Sequence, residues 1–383
     1  MKYILISLLT FAFNFSFSQD KIPVKKVIKI VEKHYKAYME KYPDSTKFAR
    51  STNADGSLRV SGARDWTSGF FPGNLWRLFE FTGKKQWKNA AEKWTAGLEE
   101  QKKNTRTHDL GFMLFDSYGP GYQLTQNPAY KKVLLQGASS LSSRFKPQIG
   151  AIRSWDNPSF SYPVIIDNLM NLEYLFWATK ESGDSTFYKI AVQHADTDLK
   201  YRFRTDNSSY HVLDFDPQTG KLLKRITHQG YADESCWARG QAWGVYGYTT
   251  LYRETHDKRY LDQAVKAADY FIMQTDKTSD HIPYWDFQAP DIPNAPRDAS
   301  AAAITASALI ELSKYAPAKN YLNKAKEYLI SLCSDAYLAK AGTNNFFLLK
   351  HSTGHKPINS EVDVPIIYAD YYFLEALSRY EKK

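Results

Sequence analysis

The sequence predicts an all-α protein, an (α/α)6 barrel of six helical hairpins with inner and outer helix rings. Three observations predict it. Twelve stretches carry helical rather than strand patterning, the joints between them alternate between a few residues and many, and composition alternates in step. Hairpins joined tightly at one end place all the long connections at the other end.

Taken in order, the first helix is expected over 24–42, followed by a long joint over 43–65. The segment 20–65 reads as an arm or as a first hairpin with a long loop. The second helix, 66–83, opens with the aromatic and Gly-rich WTSGFFPGNLW. A turn near Thr82–Lys85 leads to 87–103, whose KKQWKNAAEKWTAGLEEQKK is charged on one side. The connection 104–108 is the one short exception. Helices 109–126 and 128–144 meet at Asn127, and the long 145–160 joint follows. The stretch 161–183 begins SYPVIIDNLMNLEYLFWA, a nearly unbroken apolar run holding one carboxylate, Asp167. Gly183–Asp184 joins it to 185–203. After the 204–235 loop, 236–256 carries SCWARGQAWGVYGY, and Asp257 turns the chain into 258–275. There Leu261, Ala264, Val265, Ala268 and Phe271 share one face. The 276–298 loop leads into 299–316, with DASAAAITASALI, and Pro317 separates it from 318–334, with Leu322, Ala325, Leu329 and Leu332 on one face. The 335–361 loop precedes the last helix, 362–381. Aromatic and Ala/Gly-rich helices after long joints form the inner ring; Lys/Glu-bearing helices after short joints form the outer one.

The first eighteen residues read as a secretory signal. Lys2 supplies the positive end, Tyr3 to Phe15 the apolar core, and Ser16 and Ser18 a cleavage site before Gln19. The apolar part is short for a membrane span, and no later stretch is long and uncharged enough to cross a bilayer. An exported protein is expected, periplasmic in a Gram-negative host, with 19–383 as a single catalytic domain. With 43% apolar and 15% aromatic residues, the composition is globular. Only Cys236 and Cys333 occur; both fall in helical patterns, so buried thiols are expected, and no zinc framework is present. The net charge is +9, or +8 once Lys2 is removed with the signal. The Lys residues are scattered and no nucleic-acid motif accompanies them. The charge fits an anionic ligand through field focusing, and equally a generic solvated surface.

The chemistry-bearing residues gather where the long joints enter inner helices. Trp66 follows Arg64–Asp65, His108–Asp109 stand at another start, and Trp155, Asp156 and Asn157 precede Asp167. His211, His228 and Gln229 lie in the 204–235 loop, with Trp237, Arg239, Gln241 and Trp243 just beyond it. Arg297–Asp298 and Glu361 with Asp363 complete the rim. Aromatic faces, amides and opposed carboxylates are the parts of a sugar site, since aromatics stack on the C–H face of a ring and polar groups orient its hydroxyls. Asp167 admits two readings: a helix cap, or an acid kept protonated by its apolar setting. Asp109 likewise is a cap or its partner. Asp214 and Asp216 beside two His could suggest a metal, but DFDPQTG reads more simply as a turn, and no metal site is expected. Arg239 in an apolar helix requires an anion, from the protein or from a carboxylate ligand.

The blocks RDWTSGFFPGNLW (64–76), THDLGFMLFDSYGPGY (107–122), IIDNLMNLEYLFWA (165–178), THQGYADESCWARGQAWGVYGY (227–248) and PINSEVDVPIIYADYYFLEAL (357–377) resemble the unsaturated glucuronyl hydrolases of glycoside hydrolase family 88. The resemblance runs in order along nearly the whole chain and implies an (α/α)6 barrel. It also implies a cofactor-free hydrolase, downstream of a polysaccharide lyase, that removes a 4,5-unsaturated uronic acid from the non-reducing end of an oligosaccharide, sulfated or not. The family hydrates the vinyl ether instead of attacking the anomeric carbon. The resemblance assigns the acid/base role to Asp167 and its partner role to Asp109. It assigns sugar binding to Trp66, His211, His228, Gln229, Trp237, Arg239 and Trp243. In HSTGHKP, Lys356 is placed to meet a sulfate, whereas His351 and Gly354 stand where some members carry a Ser-rich sulfate pattern. Two alternatives remain: a rhamnogalacturonyl hydrolase acting on pectin fragments, and a sugar-binding barrel without turnover.

Overall fold

A computed structural model describes residues 21–383; the expected secretory signal lies outside them. Among the described residues, twelve α-helices alternate between two rings. The inner ring is α2 (Phe70–Thr82), α4 (Asp116–Thr125), α6 (Asn168–Ser182), α8 (Ala238–Thr255), α10 (Ala299–Tyr315) and α12 (Ile367–Glu381). Each packs on the next, α6 meeting its predecessor through the turn Gly111–Phe115 that leads into α4, and α12 closes on α2. The outer ring is α1 (Val24–Lys41), α3 (Lys85–Ala96), α5 (Pro128–Ser142), α7 (Ser185–Tyr201), α9 (Lys258–Thr275) and α11 (Tyr321–Leu332).

Side-chain size explains the two rings. In α10 every residue from Ala299 to Leu312 is buried, as is all of α8 from Ala238 to Leu251. A helix covered all round by other helices needs small residues so that backbones can approach. At Gly247 an added Cβ would lie 2.5 Å from the Leu169 Cβ, so any larger residue forces α8 off α6. Outer helices bury one stripe only. In α9 it comprises Tyr260, Ala264, Ala267, Ala268 and Phe271, with Leu261 and Val265 at its edge.

The short joints are tight because their ends are capped. Gly83, Gln126, Gly183 and His256 end inner helices in the left-handed conformation, and Asn127, Asp184 and Asp257 cap the outer helices that follow. Near this end an ion-pair network spans the ring: Arg253 holds Glu173 and Glu311, Arg77 holds Glu375, and Arg379 holds Glu311.

The long joints carry β-structure that helical patterning does not reveal. β1 (Phe48–Thr52) pairs with β2 (Leu58–Ser61), and β3 (Phe145–Lys146) with β4 (Ala151–Ile152). A third sheet has the order β5 (Pro163–Ile165), β6 (Val212–Phe215), β7 (Leu222–Ile226), all antiparallel. The helix expected over 161–183 therefore starts at Asn168, and the seven residues before that point contain strand β5. A short buried apolar run satisfies either structure, and Pro163, Val164 and Ile165 favour the strand. The helix expected from Trp66 starts at Phe70 after a turn, and that expected from 362 starts at Ile367. DFDPQTG is the turn between β6 and β7, with Asp216 accepting from Gln218 N and Thr219 Oγ1. Cys236 and Cys333 are buried free thiols.

Candidate active site

Four long joints and the starts of α2, α8 and α12 enclose a cavity of about 320 Å3, with Arg50, Arg59, Trp66, Trp155, His228, Gln229, Arg239 and Tyr368 in its wall. Asp167 stands at the N-cap position of α6 but makes no capping bond. Asp184, Asp257 and Asp298 all cap their helices, so the geometry of Asp167 is a departure within the same chain. The residue is 7% exposed, and its Oδ2 has no hydrogen-bond partner. Burial raises its pKa to about 7; the Arg239 charge opposes the rise and Asp109 adds to it. A buried carboxyl with no donor within hydrogen-bond distance of Oδ2 is most stable with its proton on.

His211 faces this oxygen, with Nε2 3.7 Å from Asp167 Oδ2. Its other nitrogen, Nδ1, accepts the backbone N–H groups of His228 and Gln229, each at 3.1 Å. Two donors on Nδ1 leave the ring neutral with its proton on Nε2, directed toward Asp167. Burial, with His228 and Arg202 nearby, holds its pKa well below the ordinary value. The ring lies 4.6 Å from the Trp237 ring, which fixes its plane.

Asp109 enters from the adjacent inner hairpin. Thr107 Oγ1 donates to its Oδ2 at 2.7 Å, and His108 Nε2 lies 3.2 Å from Oδ1. Two asparagines, unremarked in the sequence, tie its chain to that of Asp167. Asn168 donates to Ile152 O and Ser154 Oγ, so its Oδ1 is left to accept from His108 Nδ1 at 2.7 Å. Asn171 Oδ1 accepts Gly111 N at 2.7 Å, and a Cβ on Gly111 would fall 2.4 Å from that oxygen. The turn carrying Asp109 and the start of α6 are thereby held in one register.

The remaining expected residues divide. Trp66 forms one wall, packed on Tyr368 and Phe112. His228 lies between Trp155 (5.0 Å) and His355 (4.6 Å), with a pKa lowered to about 4 by burial and by His355. Gln229 Nε2 donates to Gly354 O at 3.0 Å. Arg239 lies under the cavity, over the Trp237 and Tyr368 rings at 4.4 and 5.2 Å. Of the two anions left open for it, the protein supplies one. Nη1 binds Asp298 at 2.8 Å and Thr353 O, and Nη2 binds Gly354 O at 2.6 Å. Trp243 is wholly buried against Phe112 and Tyr372 and is not in the cavity wall. Lys356 does not line this cavity; it opens onto a neighbouring one.

Sequence reasoning missed Arg50 and Arg59. Both lie in the β1–β2 hairpin, in a segment with no motif. Arg50 is held by Glu361 and Asp65, while Arg59 lies 3.5 Å from Glu361 and is 39% exposed. Among the described residues, the one group with metal-ligand spacing is Asp276, His281 and Glu327, outside the cavity wall. There the Lys324 ammonium lies 2.8 and 2.9 Å from the two carboxylates.

Three similarities bear on this arrangement. An unsaturated glucuronyl hydrolase of Formosa agariphila is 50% identical over 320 residues, 83% of this chain and 80% of that protein. The unsaturated chondroitin disaccharide hydrolase of Streptococcus pneumoniae is 33% identical over 368 residues, covering 94% and 91%. The crystal structure of an unsaturated glucuronyl hydrolase specific for heparin superposes with a TM-score of 0.91 at 47% identity, covering 94% and 97%. The model of Glycosyl Hydrolase Family 88 matches residues 30–383. Nearly the whole described chain is thus accounted for by one lineage, and the protein belongs to glycosyl hydrolase family 88.

Proposed function

We propose that the protein hydrolyses lyase-generated oligosaccharides by removing their non-reducing-end 4,5-unsaturated glucuronic acid. The observation that carries this reading is the Asp167 carboxyl: buried, without a hydrogen-bond partner, raised to about 7, and 3.7 Å from the His211 Nε2–H. Protonating an enol ether carbon requires an acid that keeps its proton near neutrality, and this setting supplies one. Asp167 gives its proton to C4, and the C4=C5 electron pair forms the new C–H bond. Positive charge then spreads over C5 and the ring oxygen. Water adds at C5 and its proton returns to Asp167. The resulting hemiketal opens at C5–O5 to a ketone, leaving a hemiacetal at C1 that expels the remaining sugar as an alcohol. No carboxylate attacks C1, so the distance between Asp109 and Asp167 does not report stereochemistry as it does in two-carboxylate glycosidases. Asp109 keeps Asp167 protonated through its charge, and Trp66 offers a stacking face.

An anionic substrate is supported by Arg59 at the mouth and by the net charge, +8 once Lys2 is removed with the signal. Two of the similar proteins are named for the chondroitin disaccharide and for heparin. A fragment of a glycosaminoglycan or of ulvan, sulfated or not, is the proposed class. Export to the periplasm through residues 1–18 is part of the same proposal. The conjugated uronate absorbs in the ultraviolet, and the reaction destroys that absorbance. Chondroitin, heparin, hyaluronan, ulvan and pectin disaccharides from the corresponding lyases make the test. Loss of signal is expected on at least one glucuronate substrate; loss on the pectin fragment alone would move the activity to rhamnogalacturonate.

The pH profile follows from the same group. The active form of Asp167 is protonated, so kcat/KM should hold below its pKa and fall above about pH 7, tenfold per unit. His211 stays neutral throughout and contributes no limb between pH 5 and 8. Initial rates across that range check both statements.

A further inference from the structure

The catalytic cavity has a neighbour. Tyr231, Trp285, Pro290, Asp291, Lys356 and Pro357 line an open concavity of about 440 Å3. Two chain segments border both. His228 and Gln229 face the catalytic cavity while Tyr231 faces the other; His355 and Ile358 face the first while Lys356 and Pro357 face the second. A single 3-10 turn, Lys356–Ile358, therefore stands between them. The two segments are tied together: His355 Nε2 donates to His228 O at 2.8 Å, and Gln229 Nε2 to Gly354 O at 3.0 Å.

The rim here is unusually apolar. Among the described residues eight large hydrophobic side chains are exposed; Tyr231 (50%) lines this concavity, Ile358 (66%) lines the catalytic cavity across the turn, and Ile292 (41%) directly follows Asp291 of the concavity wall in the chain. Scattered exposed hydrophobics need no explanation, but a rimmed cluster beside a site does. The Tyr231 backbone is fixed by a 2.9 Å bond from its N–H to Asp286 Oδ2, so its exposed ring is held on a fixed backbone. Trp285 is 4% exposed, and its Nε1 has no partner among the described residues. A tyrosine face with proline flanks fits the C–H face of a pyranose, while at the edges Lys356 fits an acidic substituent and Asp291 accepts from a hydroxyl.

We propose that this concavity is a subsite for the sugar beyond the leaving-group residue, so that the protein favours oligosaccharides longer than a disaccharide through Tyr231. The occupant is a further pyranose of the same chain, because the concavity continues the catalytic cavity across one turn. The inference rests on the hydrolase reading, but its test separates the two.

Kinetics on an unsaturated disaccharide and tetrasaccharide from one lyase digest provide that test. The tetrasaccharide is expected to show a kcat/KM roughly two- to tenfold higher, the range of one aromatic contact, expressed mainly in KM. Tyr231→Ala should bring the ratio to one with disaccharide kinetics unchanged, and Tyr231→Phe should retain it. Equal kcat/KM for the two lengths in the native protein, or a ratio that survives Tyr231→Ala, overturns the subsite. Disaccharide turnover alone decides the hydrolase reading. Were it absent, calorimetric Kd values for the two lengths, with native protein and with Tyr231→Ala, still decide the subsite by the same ratio.

Discussion

Asp167→Asn is expected to lower kcat/KM by at least roughly 10²–10⁴-fold, the contribution of a positioned general acid, while leaving the fold intact. The amide has nearly the shape of the carboxyl and cannot release a proton to carbon. Stability should move the other way. The native carboxyl has a pKa of about 7 against an ordinary 3.8, so between those values the folded state holds a proton that the unfolded state has released. That term stabilises the native protein fully at low pH and is lost as pH rises through 7. Asparagine carries no such dependence. Thermal unfolding of Asp167→Asn should therefore match or exceed native at pH 8, and the difference should shrink or reverse toward pH 5. A capping role predicts something different: asparagine caps as well as aspartate, so stability would stay near native at every pH and turnover would be largely kept. Near-native activity would remove Asp167 from the mechanism, and unfolding that stays native-like at both pH values would reinstate the cap.

The barrel was legible because a double helical ring writes itself into sequence twice, once in period and once in joint length. Ala299–Leu312 has room for little but small side chains, and its place in the inner ring is evident without a partner in view. Asp167 was legible as an anomaly, one carboxylate in an apolar run, although the run itself hid strand β5. Pro163–Ile165 pairs with residues nearly fifty positions later, and such pairing leaves no local trace. The same reason hid Asn168 and Asn171, whose partners His108 and Gly111 lie sixty residues away. Arg59 was invisible because a lone arginine in a polar hairpin looks like any solvated one. The anion for Arg239 needed the fold as well: Asp298 caps α10 through Oδ1 and holds the guanidinium through Oδ2, and only the first of these is written locally.

Arg202→Met is expected to cost about 3–5 kcal/mol, the penalty for breaking a buried ion pair from one side. Arg202 and Asp198 are both fully buried, and Nε and Nη2 of the guanidinium hold the Asp198 Oδ2 at 2.9 and 2.7 Å. The remaining donors bind Tyr210 O, His211 O and Val164 O, which lie at the join of β5 and β6. Methionine fills much of the volume but leaves the Asp198 charge with only the Tyr248 hydroxyl at 3.2 Å, and takes a donor from three carbonyls, of which His211 O keeps the Ile166 N–H. The carboxylate dominates, because a neutral hydrogen bond contributes only about 1 kcal/mol whereas an uncompensated buried charge costs several. Arg202→Met with Asp198→Leu should therefore recover a large part of the loss in urea unfolding, and the remainder measures the three carbonyls. The sign of the pH dependence separates the two terms. Burial already raises the Asp198 pKa and Arg202 lowers it, so removing the arginine raises it further. The single variant then holds a proton when folded, and it should be more stable at pH 5 than at pH 7 by a margin absent from the double variant. Since His211 O and Val164 O lose their anchor in both, each should also lose turnover, through the backbone that presents His211 to Asp167, whatever stability the second substitution restores.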